Sequence, residues 1–188
     1  ALVDPETQVL PILGSREALF SFAQVVLDGC EVDSHVVFPN PFYQIYEGAT
    51  FLGGASPVFV NIDPATGLSD FHALSPDILA KTKLMYVCSP NNPTGAVYSL
   101  EDWQKLFDLA DEYNIVIASD ECYSEIYLDG TAAPIGGLEA ASRLGRSDYN
   151  NLIVFSSLSK RSNAPGLRSG YVAGDADLIK AFLRYRTY

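Results

Sequence analysis

The segment Leu152-Ile-Val-Phe-Ser-Ser-Leu-Ser-Lys160-Arg-Ser-Asn-Ala-Pro-Gly-Leu-Arg168 carries an apolar run straight into serines, a lysine and, eight residues on, an arginine. A lysine delivered by the end of a buried strand, withdrawn from water and set among cations, becomes a nucleophile toward aldehydes. Lys160 is therefore a candidate Schiff-base lysine. The hydroxyls of Ser157 and Ser159 and the guanidinium of Arg168 have the donors to hold a phosphate beside it.

Other parts of the chain supply what a pyridine aldehyde would need. Asp120 ends the run Ile115-Val-Ile-Ala-Ser-Asp120, and Tyr123 follows three residues later. A carboxylate at the carboxyl end of a strand can hold a protonated pyridine nitrogen, and a tyrosine can bond a ring hydroxyl. Taken alone, the two also read as a capping aspartate and a packed tyrosine. Asn92, in Ser89-Pro-Asn-Asn-Pro-Thr-Gly95 after the apolar run Leu84-Cys88, can donate its amide to the same ring oxygen. Gly14-Ser15-Arg16-Glu17 opens an expected helix, whose first N–H groups suit a phosphate; a plain serine cap is the alternative. Tyr43, in Pro39-Asn-Pro-Phe-Tyr43-Gln-Ile-Tyr46, can stack on a ring or serve as a core aromatic. Together these residues point to pyridoxal 5'-phosphate.

Seven short apolar runs would have to position them: Gln8-Ile12, His35-Phe38, Pro57-Ile62, Leu84-Cys88, Ile115-Ser119, Leu152-Ser156 and Gly170-Ala173. Helical or turn-rich stretches separate most of them, the pattern of an α/β fold with a largely parallel sheet covered on both faces. Ser99 and Asp102 predict a capped helix over Leu100 to Tyr113, with Leu100, Trp103, Leu106, Phe107 and Ala110 on its buried face. The linker between Ser157 and Ser169 carries Pro165 and Gly166 and lacks a helical period. A right-handed helical crossover is not expected there, so Gly170-Ala173 should run antiparallel to its neighbours. Gly130 to Asp148 reads as the most loop-like stretch.

The 188 residues are 48% hydrophobic and 19% charged with a net charge of −11, the composition of a globular chain and not of a nucleic-acid or anionic-membrane surface. No apolar run reaches transmembrane length. Cys30, Cys88 and Cys122 show no paired spacing, which favours a reducing compartment and a cytoplasmic setting. His35 and His72 have no metal-ligand spacing, so no metal site is expected. Cys122 reads as a small packed residue. The chain starts at Ala1 and stops at Tyr188 inside an amphipathic run, and reads as an internal piece of a longer protein.

Asn-Pro-Thr-Gly at 92 to 95, Asp-x-x-Tyr at 120 and 123, and Ser-x-x-Lys followed by arginine at 157, 160 and 168 resemble, in this order, the fold-type I aminotransferases of class I/II. The resemblance spans nearly the whole chain. It implies the three-layer large domain of that fold, residues 1–188, with a seven-stranded, mainly parallel sheet, one antiparallel strand and helices on both faces. The family's small domain, built from both chain ends, would lie outside this chain, together with the arginine that holds the substrate carboxylate. The resemblance gives Lys160 the Schiff base and the acid–base work of a 1,3-proton shift. It gives Asp120 the pyridine nitrogen, Tyr123 and Asn92 the phenolic oxygen, Tyr43 the ring face, and Ser15, Arg16, Ser157, Ser159 and Arg168 the phosphate. It also implies amino-acid and keto-acid substrates, a homodimer in the full-length protein, and neither nucleic-acid nor membrane partners. Within the family, the runs around Tyr43, Asp120 and Lys160 look most like bacterial enzymes of lysine biosynthesis that move an amino group between glutamate and N-succinyl-2-amino-6-ketopimelate. Another class I/II aminotransferase, a β-lyase, or the ligand-sensing domain of an aminotransferase-like transcription regulator would share these residues.

Overall fold

Strands β4 (Thr82–Cys88), β5 (Val116–Asp120) and β6 (Leu152–Ser157) form the centre of the sheet, and each sends successive side chains to opposite faces. Leu84, Tyr86, Val116, Ala118, Ile153 and Phe155 pack into one core layer; Met85, Val87, Ile117, Leu152 and Val154 pack into the other. Burial on both sides is why these runs read as continuously apolar. The structure, a computed structural model, describes residues 3–31 and 33–187. Residues 1, 2, 32 and 188 of the expected domain lie outside the described residues.

The remaining strands are β1 (Val9–Ile12), β2 (His35–Asn40), β3 (Ser56–Asn61) and β7 (Gly170–Gly174), and the sheet order is β1-β7-β6-β5-β4-β2-β3. β7 pairs antiparallel with both β6 and β1, and every other pairing is parallel. All strands except β7 therefore point their carboxyl ends to one edge. The connection into β7 contains only α6 (Leu158–Arg161) and a 3-10 turn, Pro165–Leu167, too short to carry the chain back across the sheet.

Helices α1 (Ser15–Leu27), α2 (Gln44–Leu52) and α7 (Ala176–Arg186) bring Leu19, Phe22, Tyr46, Ile179 and Phe182 to the first core layer. Helices α3 (Pro76–Lys81), α4 (Leu100–Tyr113) and α5 (Gly137–Arg143) bring Leu79, Trp103, Leu106, Phe107 and Ala140 to the second. α4 occupies its expected span. Ser99 Oγ accepts from the Asp102 N–H at 3.1 Å, and Asp102 Oδ2 accepts from the Ser99 N–H at 2.9 Å, a reciprocal capping box.

The stretch 130–148 differs from expectation, because it contains α5. The start of that helix is held from outside its own sequence: Gly137 N–H donates to Glu121 Oε1 at 2.7 Å, and Trp103 Nε1 donates to the Ile135 carbonyl at 3.1 Å. A seven-residue helix with a remote cap leaves little local trace. His35 begins β2 as expected, while His72 lies in a 3-10 turn, Phe71–Ala73. The three cysteines are free thiols. No helix among the described residues is long and apolar enough to cross a membrane.

Glu121 gives the fold a pH dependence. It is buried, and desolvation pushes its carboxyl up to about 7, although the Gly137 N–H and the Ser119 hydroxyl favour the ionised form and Asp120 and Glu139 oppose it. The folded chain then binds a proton that the unfolded chain has released, so stability falls as pH rises from about 4.5 toward 7. The loss is at most about 3 kcal/mol. Thermal unfolding between pH 5 and pH 8 should therefore be less pH-dependent in Glu121→Gln, and a slope identical to the unsubstituted protein would exclude Glu121 as its source.

Candidate active site

Because six of the seven strands end at one edge, the residues that follow them meet there. Ser15 and Arg16 follow β1, Tyr43 follows β2, and Asn92 follows β4. Asp120 closes β5 with Tyr123 just beyond, and Lys160 follows β6. This is the crevice where open α/β sheets bind ligands. These seven residues line one cavity of about 350 Å³. A second cavity of about 330 Å³ adjoins it, sharing Ser15, Arg16, Tyr43 and Lys160 and adding Glu17, Ser159, Pro165 and Arg168.

Ser157 lines neither cavity. It is buried, and its Oγ accepts from the Ser159 N–H at 3.1 Å as the cap of α6 while donating to Ser159 Oγ at 2.9 Å. Its hydroxyl is therefore engaged with Ser159 in this structure.

Lys160 corrects another expectation. It lies one turn beyond the strand, in α6, and is exposed to solvent, so burial at a strand end does not withdraw it from water here. Its Nζ makes no hydrogen bond or ion pair among the described residues. The side chain is thus unencumbered at the mouth of the cavity.

Asp120 is buried at the floor of the cavity. Desolvation raises its pKa, and hydrogen bonds from Cys122 and Tyr46 draw it back. Oδ2 accepts from the Tyr46 hydroxyl at 3.0 Å and Oδ1 from the Cys122 N–H at 3.3 Å, which leaves lone pairs for a further donor. Tyr46 is the residue that reading the sequence missed. It is fully buried, stacks on Tyr86 with centroids 4.4 Å apart, and meets Tyr43 edge-on at 5.9 Å. It thus supports both the acid and the aromatic that flank the cavity. The available signal was its place three residues after Tyr43, which sets both on one side of the first turn of α2.

Tyr43 is held from its other end, where Arg16 Nε donates to its hydroxyl at 2.5 Å. The Arg16 side chain is thereby directed to Tyr43, and the start of α1 presents backbone N–H groups to the adjoining cavity. Gly14 is the N-cap of α1 with φ 118°, and a Cβ there would collide with Arg168 Nη2. Serine 15 is consequently inside the helix and is not its cap. Its Oγ accepts from the Cys122 thiol at 3.0 Å. Arg168 Nη2 in turn donates to Glu17 Oε2 at 2.8 Å. Asn92 and Tyr123 reach the cavity from opposite loops, with Asn92 exposed and Tyr123 half-buried.

A side-chain amine, a buried carboxylate and a helix start beside an arginine thus share one edge of the sheet in this α/β protein. A model of the aminotransferase class I and II family matches residues 1–187, and the chain belongs to that family, whose members depend on pyridoxal phosphate. The chain is 35% identical over 187 residues to the LL-diaminopimelate aminotransferase of Halothermothrix orenii, covering 98% of this chain and 46% of that protein. Among solved structures, an aminotransferase from Neisseria meningitidis Z2491 is 56% identical with a TM-score of 0.95, matching all of this chain and 47% of its own. The aminotransferase AspB of Helicobacter pylori 26695 is 39% identical with a TM-score of 0.90, over 97% of this chain and 48% of its own. The chain spans about half the length of the curated relatives it matches.

Proposed function

We propose that these residues are the cofactor-binding large domain of a transaminase that moves an amino group between glutamate and a keto acid of the diaminopimelate series, working in the cytoplasm as a homodimer. The observation that carries this reading is the meeting of Lys160, Asp120, Asn92 and Tyr123, from three separate parts of the chain, around one cavity. The cavity fits the group: an amine without a side-chain partner among the described residues, a buried acid with spare lone pairs, and a helix start where the missing Cβ of Gly14 admits the Arg168 guanidinium.

In this reading Lys160 attaches the cofactor and Asp120 holds the proton on its pyridine nitrogen. Asn92 and Tyr123 donate to the phenolic oxygen, Tyr43 covers a ring face, and Ser15, the α1 backbone, Ser159 and Arg168 hold the phosphate. When bound, pyridoxal phosphate supplies an electron sink for negative charge at a substrate α-carbon. Lys160 Nζ takes the proton from that carbon and returns it elsewhere, which requires an unpaired amine that can swing. Asp120 can remain ionised beside a cation because its burial strengthens their pairing. Tyr46 fixes the carboxylate in place while it does so.

For the substrate, the runs around Tyr43, Asp120 and Lys160 favour N-succinyl-2-amino-6-ketopimelate. The relatives named LL-diaminopimelate aminotransferase, at about 35% identity, favour diaminopimelate chemistry without the succinyl group as the second reading. The test is a half-reaction with the complete protein. Glutamate should convert the bound cofactor to its amine form, and the correct keto acid should return it. Return by the succinylated keto acid alone supports the first reading, and return by the unsubstituted acceptor alone supports the second. Release of ammonia and pyruvate from an amino acid, with no amine form of the cofactor, would replace transamination with lyase chemistry.

A further inference from the structure

Arg168 is not a loose side chain beside the phosphate cradle. Its backbone has φ 47° at the end of the 3-10 turn, Nη1 donates to the Pro165 carbonyl at 3.2 Å, and Nη2 donates to Glu17 Oε2 at 2.8 Å. The guanidinium lies against Gly14, in the space any Cβ at that position would occupy, and the Glu17 carboxylate closes over the same glycine. Glu17 stands at the third position of α1, so its place is set by a helix and not by the loop that carries Arg168. These contacts use two of the five guanidinium N–H groups and leave three for a ligand.

We propose that Glu17 is a positioning residue for Arg168: its carboxylate, at the rim of the adjoining cavity, holds the guanidinium over Gly14, ready for a phosphate. The proposal rests on the pyridoxal-phosphate reading of the site. An arginine side chain has many rotamers to lose when it meets an anion. Glu17 removes part of that loss before the ligand arrives. The opposite possibility is that Glu17 competes for Arg168 and repels the phosphate. The geometry favours positioning, since the pair leaves the arginine with free donors and at the edge of the cradle it would serve.

The test compares the complete protein with Glu17→Ala and Glu17→Gln, each stripped of cofactor. Three probes are titrated: pyridoxal phosphate, pyridoxal without phosphate, and inorganic phosphate as a competitor. In Glu17→Ala, pyridoxal phosphate and inorganic phosphate should both bind about threefold to fivefold more weakly, the size expected of a half-exposed ion pair. Pyridoxal should bind equally well to all three proteins. Glu17→Gln, which keeps an oxygen for Arg168, should recover most of the loss. Unchanged or tighter phosphate binding in Glu17→Ala overturns the proposal in favour of no role or of competition. An equal loss for pyridoxal overturns it in favour of general damage to the site. If the unsubstituted protein forms no lysine-dependent absorption band with pyridoxal phosphate, the parent reading fails, and the inorganic-phosphate titration still decides the role of Glu17.

Discussion

Lys160→Ala in the complete protein is expected to lower transamination by at least about a thousandfold, because the same amine anchors the cofactor and carries the proton. The visible band of lysine-bound pyridoxal should vanish with it. Lys160 is exposed and its side chain makes no hydrogen bond or ion pair among the described residues, so folding should be affected by no more than about 0.5 kcal/mol. That combination separates chemistry from stability in one variant. Lys160→Arg keeps a positive charge in the same turn of α6 but supplies no amine, and should be as inactive as the alanine variant. A band that survives in Lys160→Ala would show that another group holds the cofactor and would remove Lys160 from the mechanism.

Asp120 should give the second largest effect and a different signature. Asp120→Ala removes the anion expected to keep the pyridine nitrogen protonated, and activity should fall by about a hundredfold to a thousandfold, the range for losing one buried electrostatic contact. It also strands the Tyr46 hydroxyl, which is fully buried and gives its hydrogen bond to Asp120. An unpaired buried donor costs about 1–3 kcal/mol, so this variant should be destabilised as well. Asp120→Asn keeps an oxygen for Tyr46 and lacks the charge. It should restore part of the stability, because its amide nitrogen cannot accept from the Cys122 N–H, and none of the activity. Tyr46→Phe reverses the pattern: the acid stays, its orientation loosens, and activity should fall by no more than about tenfold. Kinetics and thermal unfolding of the three variants together check the assignment, and an active Asp120→Asn would exclude an anion at the ring nitrogen.

Much of this architecture was legible along the chain. Runs such as Leu84-Cys88 and Leu152-Ser156 are apolar on both sides of the strand, which a sequence shows directly. The antiparallel β7 followed from the absence of a crossover helix before it, and α4 from Ser99 and Asp102. α5 was not legible, since Glu121, just beyond β5, caps it from 16 residues away. The same reason hid Tyr46 and Glu17. Both sit inside runs whose neighbours attracted attention, and their partners, Asp120 and Arg168, lie 74 and 151 residues away.

Residue type and strand-end position, both local properties, were enough to single out Lys160, Asp120, Asn92 and Tyr123 and to name the chemistry they could share. Their convergence on one cavity was decided by the tertiary structure, because only the parallel pairing of β2, β4, β5 and β6 sends their carboxyl ends to the same edge. Tertiary structure also decided the surroundings of each candidate: Lys160 emerged into solvent without a side-chain partner among the described residues, whereas Ser157 is buried and caps a helix. Solvation and hydrogen-bond partners are set by what packs across the chain, and a linear sequence does not contain those distances.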